Sequence, residues 1–129
     1  MLPPRPYERI TPIEDFYVDE IGEILQEARM FTVSKKRGLI EMVHLLYGFF
    51  FVENDVVSLF NDNGINPEKI CKWIEMNEKE GDAIEIPGRS RNYTDCLALA
   101  EKFALERGSS EIREPDLFWA ILDMITAGN

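Results

Sequence analysis

The chain has 129 residues, the length of one ordinary domain, and a net charge of −10, so a nucleic-acid partner, which needs clustered Lys and Arg, is not expected. Apolar residues make up 45% and charged residues 29%, which suits a folded core and excludes wholesale disorder. The longest apolar run, residues 45–52, falls far short of the roughly 20 residues of a membrane span, and no signal-peptide pattern opens the chain, so no membrane association is expected.

Residues 1–12 contain Pro3, Pro4 and Pro6 and read as an extended, Pro-rich arm. Thr11-Pro12-Ile13-Glu14 has the form of a capping box, with Pro at the first helical position. Phe16, Val18, Ile21, Ile24, Leu25, Ala28 and Phe31 then recur at helical spacing, which predicts a first helix over about 13–33. Lys35-Lys36-Arg37 before Gly38 reads as the end of that helix, facing its dipole. A second helix, apolar on nearly all sides and therefore central, is expected over about 40–52. Asn54 should cap a third helix to about residue 63, ended by Gly64, and Asn66-Pro67 should open a fourth through about residue 77. Residues 78–89, with Gly81, Pro87 and Gly88, read as a loop. Ser90 should cap a fifth helix to about residue 107, and a sixth should start near Pro115 and carry Leu117, Phe118, Ile121, Leu122 and Ile125. No strand is expected, since residues 83–86 are too short to matter.

The two halves align without a gap: Leu25 with Leu97, Ala28 with Ala100, Phe31 with Phe103, Ile40 with Ile112 and Leu45 with Leu117, each pair 72 residues apart. Neighbouring positions agree in class, including Ile24 with Cys96, Tyr47 with Trp119 and Gly48 with Ala120. A duplicated helix–turn–helix frame accounts for this. The expected architecture is therefore all-α, with two tandem repeats related by a pseudo-two-fold. The first covers about 13–77 and the second, shortened one about 90–127, within a domain of 13–129.

Repeat 1 reads Ala28-Arg29-Met30-Phe31, then Arg37-Gly38-Leu39-Ile40-Glu41-Met42-Val43-His44-Leu45-Leu46-Tyr47-Gly48, then Leu59-Phe60-Asn61-Asp62-Asn63-Gly64-Ile65-Asn66. This order resembles the repeat found twice in the N-terminal domain of Clp-type AAA+ unfoldases. There an Ala-bearing helix, a Gly-containing turn, a histidine-bearing helix and a leucine-rich helix follow one another. The run Ile40-Glu41-Met42-Val43-His44 is most similar to the branch serving type VI secretion, the ClpV-like ATPases. The likeness spans about residues 15–127. It departs from the family where the usual glutamate before the histidine is Val43, and where repeat 2 has Pro115 and Asp116. Recognition of phosphorylated arginine, which some Clp domains perform with acidic residues at this turn, is therefore not implied.

No Gly-x-x-x-x-Gly-Lys-Ser/Thr loop is present to cradle nucleotide phosphates, so neither ATP binding nor any other cofactor is expected. His44 is the one histidine and reads as a core or capping residue. Cys71 and Cys96 lack the spacing of a zinc site and fit buried thiols in a reducing compartment. Asn61-Asp62-Asn63-Gly64 would place the first and last ligands of a calcium loop on Leu59 and Ile70, so a turn is the better account. Glu20, Glu23 and Glu27 fall at helical spacing and read as a solvated face. Phe16 with Tyr17, and Phe49 to Phe51, are consecutive aromatics that cannot all face inward.

These features point to a cytoplasmic protein-binding module and not to an enzyme. The resemblance implies a recognition domain of a Clp-like unfoldase that takes a substrate, an adaptor or a secretion-sheath helix. The alternative is a free-standing accessory without its own ATPase. The resemblance places the dock at the start of the first helix, on Ile13, Phe16, Tyr17 and Glu20. The sixth helix has more apolar surface than the fifth can cover. Either the fourth helix, through Ile70, Trp73 and Ile74, folds across it, or a second copy of the chain covers it around Trp119.

Overall fold

In a computed structural model, which describes residues 19–127, α1 (Asp19–Ser34) buries Ile21, Ile24, Leu25, Ala28 and Phe31. This is the stripe that the helical spacing predicts. The arm, the Thr11 capping box and the expected start of α1 lie outside the described residues. After α1 come β1 (Leu39–Ile40), α2 (Met42–Phe51), α3 (Asp55–Asp62) and α4 (Pro67–Asn77), then β2 (Gly88–Arg89), α5 (Arg91–Glu106) and α6 (Glu114–Ala127). Asn54 accepts from the N–H groups of Val56 and Val57, Asn66 from Glu68 and Ser90 from Tyr93. Each expected N-cap thus satisfies amide donors that a helix start leaves open.

α1 packs along α2 and α5 along α6, while α2 also touches α4, α5 and α6 and is the centre of the molecule. Phe49 is fully buried and Phe50 nearly so, whereas Phe51 is exposed, which resolves the aromatic triplet. The rings of Phe49, Phe50 and Phe60 surround Phe118 of α6 at centroid distances of 5.6, 6.5 and 5.6 Å. Full burial of a ring such as Phe49 contributes roughly 2–3 kcal/mol, and the half-buried Phe60 and Phe118 contribute less. No single described helix is long and apolar enough to cross a membrane, and the apolar α2–α3 pair bends by 73°.

The paired positions of the two halves behave alike. Ile24 and Cys96, Ala28 and Ala100, and Leu45 and Leu117 are all fully buried, and Ile40 and Ile112 are buried just before α2 and α6. The ends of α1 and α5 also match, bond for bond. Lys35, Lys36 and Arg37 donate their backbone N–H groups to Phe31, Val33 and Thr32, and Arg107, Gly108 and Ser109 donate theirs to Phe103, Leu105 and Ala104. Both sets form a Schellman cap, whose left-handed residue is Gly108 at φ 84° in one half and Lys36 at φ 53° in the other. The break therefore falls at Lys36, ahead of Gly38. A side chain in this conformation costs about 1 kcal/mol relative to glycine, and the exposed Lys36–Glu80 ion pair at 3.8 Å offsets little of it. Lys36→Gly should therefore raise stability by about 0.5–1 kcal/mol and Gly108→Lys lower it by a similar amount, as read from urea unfolding midpoints. Equal midpoints for all three proteins would contradict this account of the caps.

Two expectations need correction. First, Ile40 is not helical. Leu39 and Ile40 pair in parallel with Gly88 and Arg89, through Gly88 N–H to Gly38 O and Ser90 N–H to Ile40 O, both 3.0 Å. Glu41 keeps an extended backbone as the N-cap of α2, so the residues before it stay extended and offer an edge to the loop. Two residues per strand are too few to leave an alternation signal. Second, α4 does not fold across α6. It lies on α2, where Cys71 and Ile74 are buried and Trp73 points to solvent. α3 covers the inner part of α6 instead, through Phe60.

Candidate functional site

α6 turns two faces in different directions. Leu117, Ala120 and Ile121 go into the core, but Trp119 stays 60% exposed. Trp119, Leu122, Asp123 and Thr126 form one wall of an open groove of about 540 Å³, and Phe103 of α5 forms the other. The Thr126 hydroxyl donates to the Leu122 carbonyl at 2.9 Å, so the polar element facing out of the groove is the Asp123 carboxylate. This is an apolar furrow with one negative charge at its rim, a form suited to an apolar partner surface.

The corresponding place in the first half is filled. Phe31 stacks on Tyr47 with centroids 3.9 Å apart and planes 9° from parallel. α4 lies beside them, its Cys71 thiol 3.6 Å from the Tyr47 carbonyl. Tyr47, Phe50 and Phe51 line the seam with Glu68, Cys71, Lys72 and Glu75 of α4. Those three residues of α2 stand 72 positions before Trp119, Leu122 and Asp123. The groove on α6 is thus the counterpart of the seat of α4, and among the described residues no helix covers it.

Of the four residues expected to form the dock, Ile13, Phe16 and Tyr17 lie outside the described residues. Glu20 is exposed in the first turn of α1 and does not line the groove. Glu23 is exposed as well, and Glu27 is half-buried. Sequence reading singled out Trp119 as lying at an uncovered contact. It missed Phe103 and Asp123 as its neighbours, because Phe103 reads as a core position by its pairing with the buried Phe31.

The polar chemistry of the described residues is structural. His44 is fully buried and completes a capping box: its Nδ1 accepts the Glu41 N–H at 2.9 Å while the Glu41 side chain caps in return. The proton therefore sits on Nε2, which donates to Glu78. Burial holds this imidazole below its ordinary range, against the pull of the Glu78 carboxylate. Asp116 occupies the matching place on α6 and accepts the Arg113 N–H at 2.9 Å. Its carboxylate is also held by Arg107, at 3.2 Å to Nε and 2.6 Å to Nη2. Burial raises the Asp116 pKa, but the Arg107 and Arg113 hydrogen bonds outweigh it and keep the carboxyl below its usual range. Both turn residues are thus already engaged within the protein. Burial pushes the Cys71 thiol up to about 11 and the Cys96 thiol up to about 12, so at neutral pH neither is a thiolate nucleophile. Among the described residues no group of three or more His, Cys, Asp or Glu side chains is placed to hold a metal ion.

No family model matches the chain, and no curated protein sequence does. Among solved structures it is similar to the N-domain of ClpV from Vibrio cholerae, with a TM-score of 0.74 and 16% sequence identity, over 98% of this chain and 76% of that one. At that identity the likeness establishes the fold alone: a mostly helical Clp N-domain architecture.

Proposed function

We propose that the chain is a protein-recognition domain of the Clp N-terminal kind, without catalytic activity of its own. Its role would be to hold a segment of a substrate, an adaptor or a sheath subunit. The observation that carries this reading is the open apolar groove of Phe103, Trp119 and Leu122. It occupies the one part of the two-repeat frame that a helix covers in the first half and none of the described helices covers in the second. The likeness in fold to the N-domain of ClpV supports the same reading. Two buried, protonated thiols suit a reducing, cytoplasmic setting. The reading is the same whether the domain heads an ATPase or stands free as an accessory. The dock at Ile13, Phe16, Tyr17 and Glu20 remains a second proposed contact on the same partner.

Site-specific photocross-linking in the native cell tests this. A photoreactive residue at position 119 should give one discrete protein adduct, and the same residue at Ile84, which is 98% exposed in the loop, should give none. Adducts absent from positions 119, 122 and 20 alike would overturn the protein-binding role.

A further inference from the structure

We infer that the corner where α2 turns into α3 is a binding site for the guanidinium of an unmodified arginine side chain carried by another polypeptide. The site lies in the first repeat, on elements other than those of the α5–α6 groove, and does not depend on that groove's role. α2 and α3 meet at a bend of 73°, and the first turn of α4 closes a third side of the corner. The result is an open cavity of about 500 Å³, lined by Phe50, Phe51, Glu53, Val57 and Asn61 and by Glu68 at the start of α4. Phe51 is 56% exposed. It ends a ladder of rings: Phe31 stacks on Tyr47 at 3.9 Å, and Tyr47 on Phe51 at 5.6 Å with planes 19° apart. Tyr47 thus covers one face of Phe51, and no described ring takes the other.

The polar groups of the corner fall into two kinds. Those that the turns need are already spent: Asn54 caps α3 and holds the Phe49 and Val52 carbonyls, and Asn66 caps α4. The Glu53 and Glu68 carboxylates and the Asn61 side-chain amide are exposed and engage no described side chain. No basic side chain lines the cavity. An aromatic face beside two such carboxylates takes a cation, which the ring attracts and whose N–H groups the carboxylates accept. A divalent metal ion is disfavoured, because among the described residues no three His, Cys, Asp or Glu side chains converge. Among organic cations the guanidinium fits best. It is flat and weakly hydrated, lies along a ring face, and its fork of N–H groups can serve carboxylates from two elements at once. An ammonium is a strongly hydrated point charge without that shape. A free amino acid would bring its own carboxylate into a site that offers no cation to hold it, so the arginine comes within a chain. A phosphate on the guanidinium is rejected for the same reason.

The test is an NMR titration of the isotope-labelled chain with N-acetyl-arginine amide, whose capped ends leave the guanidinium as its one charge. The amide signals of Phe51, Glu53, Asn61 and Glu68 should shift together and saturably. N-acetyl-citrulline amide, neutral and of nearly the same shape, should give no saturable shift. N-acetyl-lysine amide and uncapped arginine should each bind several-fold more weakly than the capped arginine. Glu53→Gln combined with Glu68→Gln, both on the surface, should abolish saturation. Phe51→Leu, which keeps apolar bulk but removes the ring face, should weaken binding several-fold. The inference is overturned if the capped arginine gives no saturable shift, if citrulline or lysine matches it, or if the double glutamine variant binds as the parent does. Uncapped arginine or phosphoarginine binding more tightly than the capped form would equally overturn it. Failure on any of these counts leaves the groove reading standing, since the position-119 adduct involves none of these residues.

Discussion

Gly48→Ala should destabilise the domain by about 2 kcal/mol, although alanine is the better helix former. A Cβ at Gly48 would stand 2.5 Å from the Ile24 carbonyl oxygen, 2.8 Å from the Ala28 nitrogen and 3.2 Å from the Ala28 Cα. All three are backbone atoms of α1, which cannot swing aside as a side chain does, so the two helices must part. Overpacking of this kind costs about 1–3 kcal/mol, and the intrinsic preference for alanine inside a helix returns at most about 1 kcal/mol. Parting α1 from α2 also loosens the fully buried Ile24, Leu25 and Leu45, which places the net cost in the upper part of that range. The expected reading is a fall of about 10 °C in the melting temperature. The second half supplies the control. Ala120 stands 72 residues after Gly48 and is fully buried, facing the α5–α6 contact, so that hairpin already accommodates a methyl group. Ala120→Gly should cost only about 1 kcal/mol. If Gly48→Ala melts as the parent does, α1 and α2 are not in backbone contact.

The comparison of Gly48 with Ala120 also shows what kind of information the sequence carries. Positions that pack or cap announce themselves locally. Asn54, Asn66 and Ser90 are legible because a short polar side chain before an apolar run has one common use. The pairing of Ala28 with Ala100 is legible because both halves need a small residue where helices approach, and both residues are fully buried. Gly64 at φ 79° ends α3 as its identity suggests. Features that depend on where the chain goes next are not legible in this way. β1 and β2 are two residues each and exist because the loop after α4 returns beside Gly38 and Ile40, a long-range event with no local pattern. The side of α4 that faces inward was misjudged at Trp73 for the same reason. Ile70, Trp73 and Ile74 all fit a helical stripe, and only the direction in which α4 leaves the Asn63–Asn66 turn decides that Cys71 takes the inner place. The groove was half legible. An excess of apolar residues on α6 marks an uncovered face, but the identity of its neighbours requires knowing that α3, and not α4, covers the rest.

Removal of His44 should be the most damaging change among the polar residues, and it should also alter the response to pH. The side chain is fully buried, holds the Glu41 N–H at the start of α2 and donates to Glu78, the C-cap of α4. It therefore ties the first turn of one helix to the last turn of another. His44→Ala leaves a cavity beside Phe31, whose ring lies 5.7 Å away, and strips two polar groups of their partner. Both groups are only part-buried, so each costs about 1 kcal/mol when left unpaired, and with the cavity a loss of about 3 kcal/mol is expected. Asp116 shows how part of this can be restored, since a short side-chain oxygen at the matching position caps the Arg113 N–H. His44→Asn should keep the cap, lose only the Glu78 contact and cost about 1–2 kcal/mol less than the alanine variant. The pH dependence follows from the lowered pKa of His44. The unfolded chain binds the proton near pH 6.5, while the folded chain resists it to lower pH, because burial disfavours the charged ring. Stability contributed by the neutral ring is thus present above about pH 6.5 and is lost as pH falls from there toward the folded value. Urea midpoints measured between pH 7.5 and 5 should fall more steeply for the parent than for His44→Asn. Parallel curves would mean that the imidazole titrates alike in both states and that Glu78, not burial, governs it.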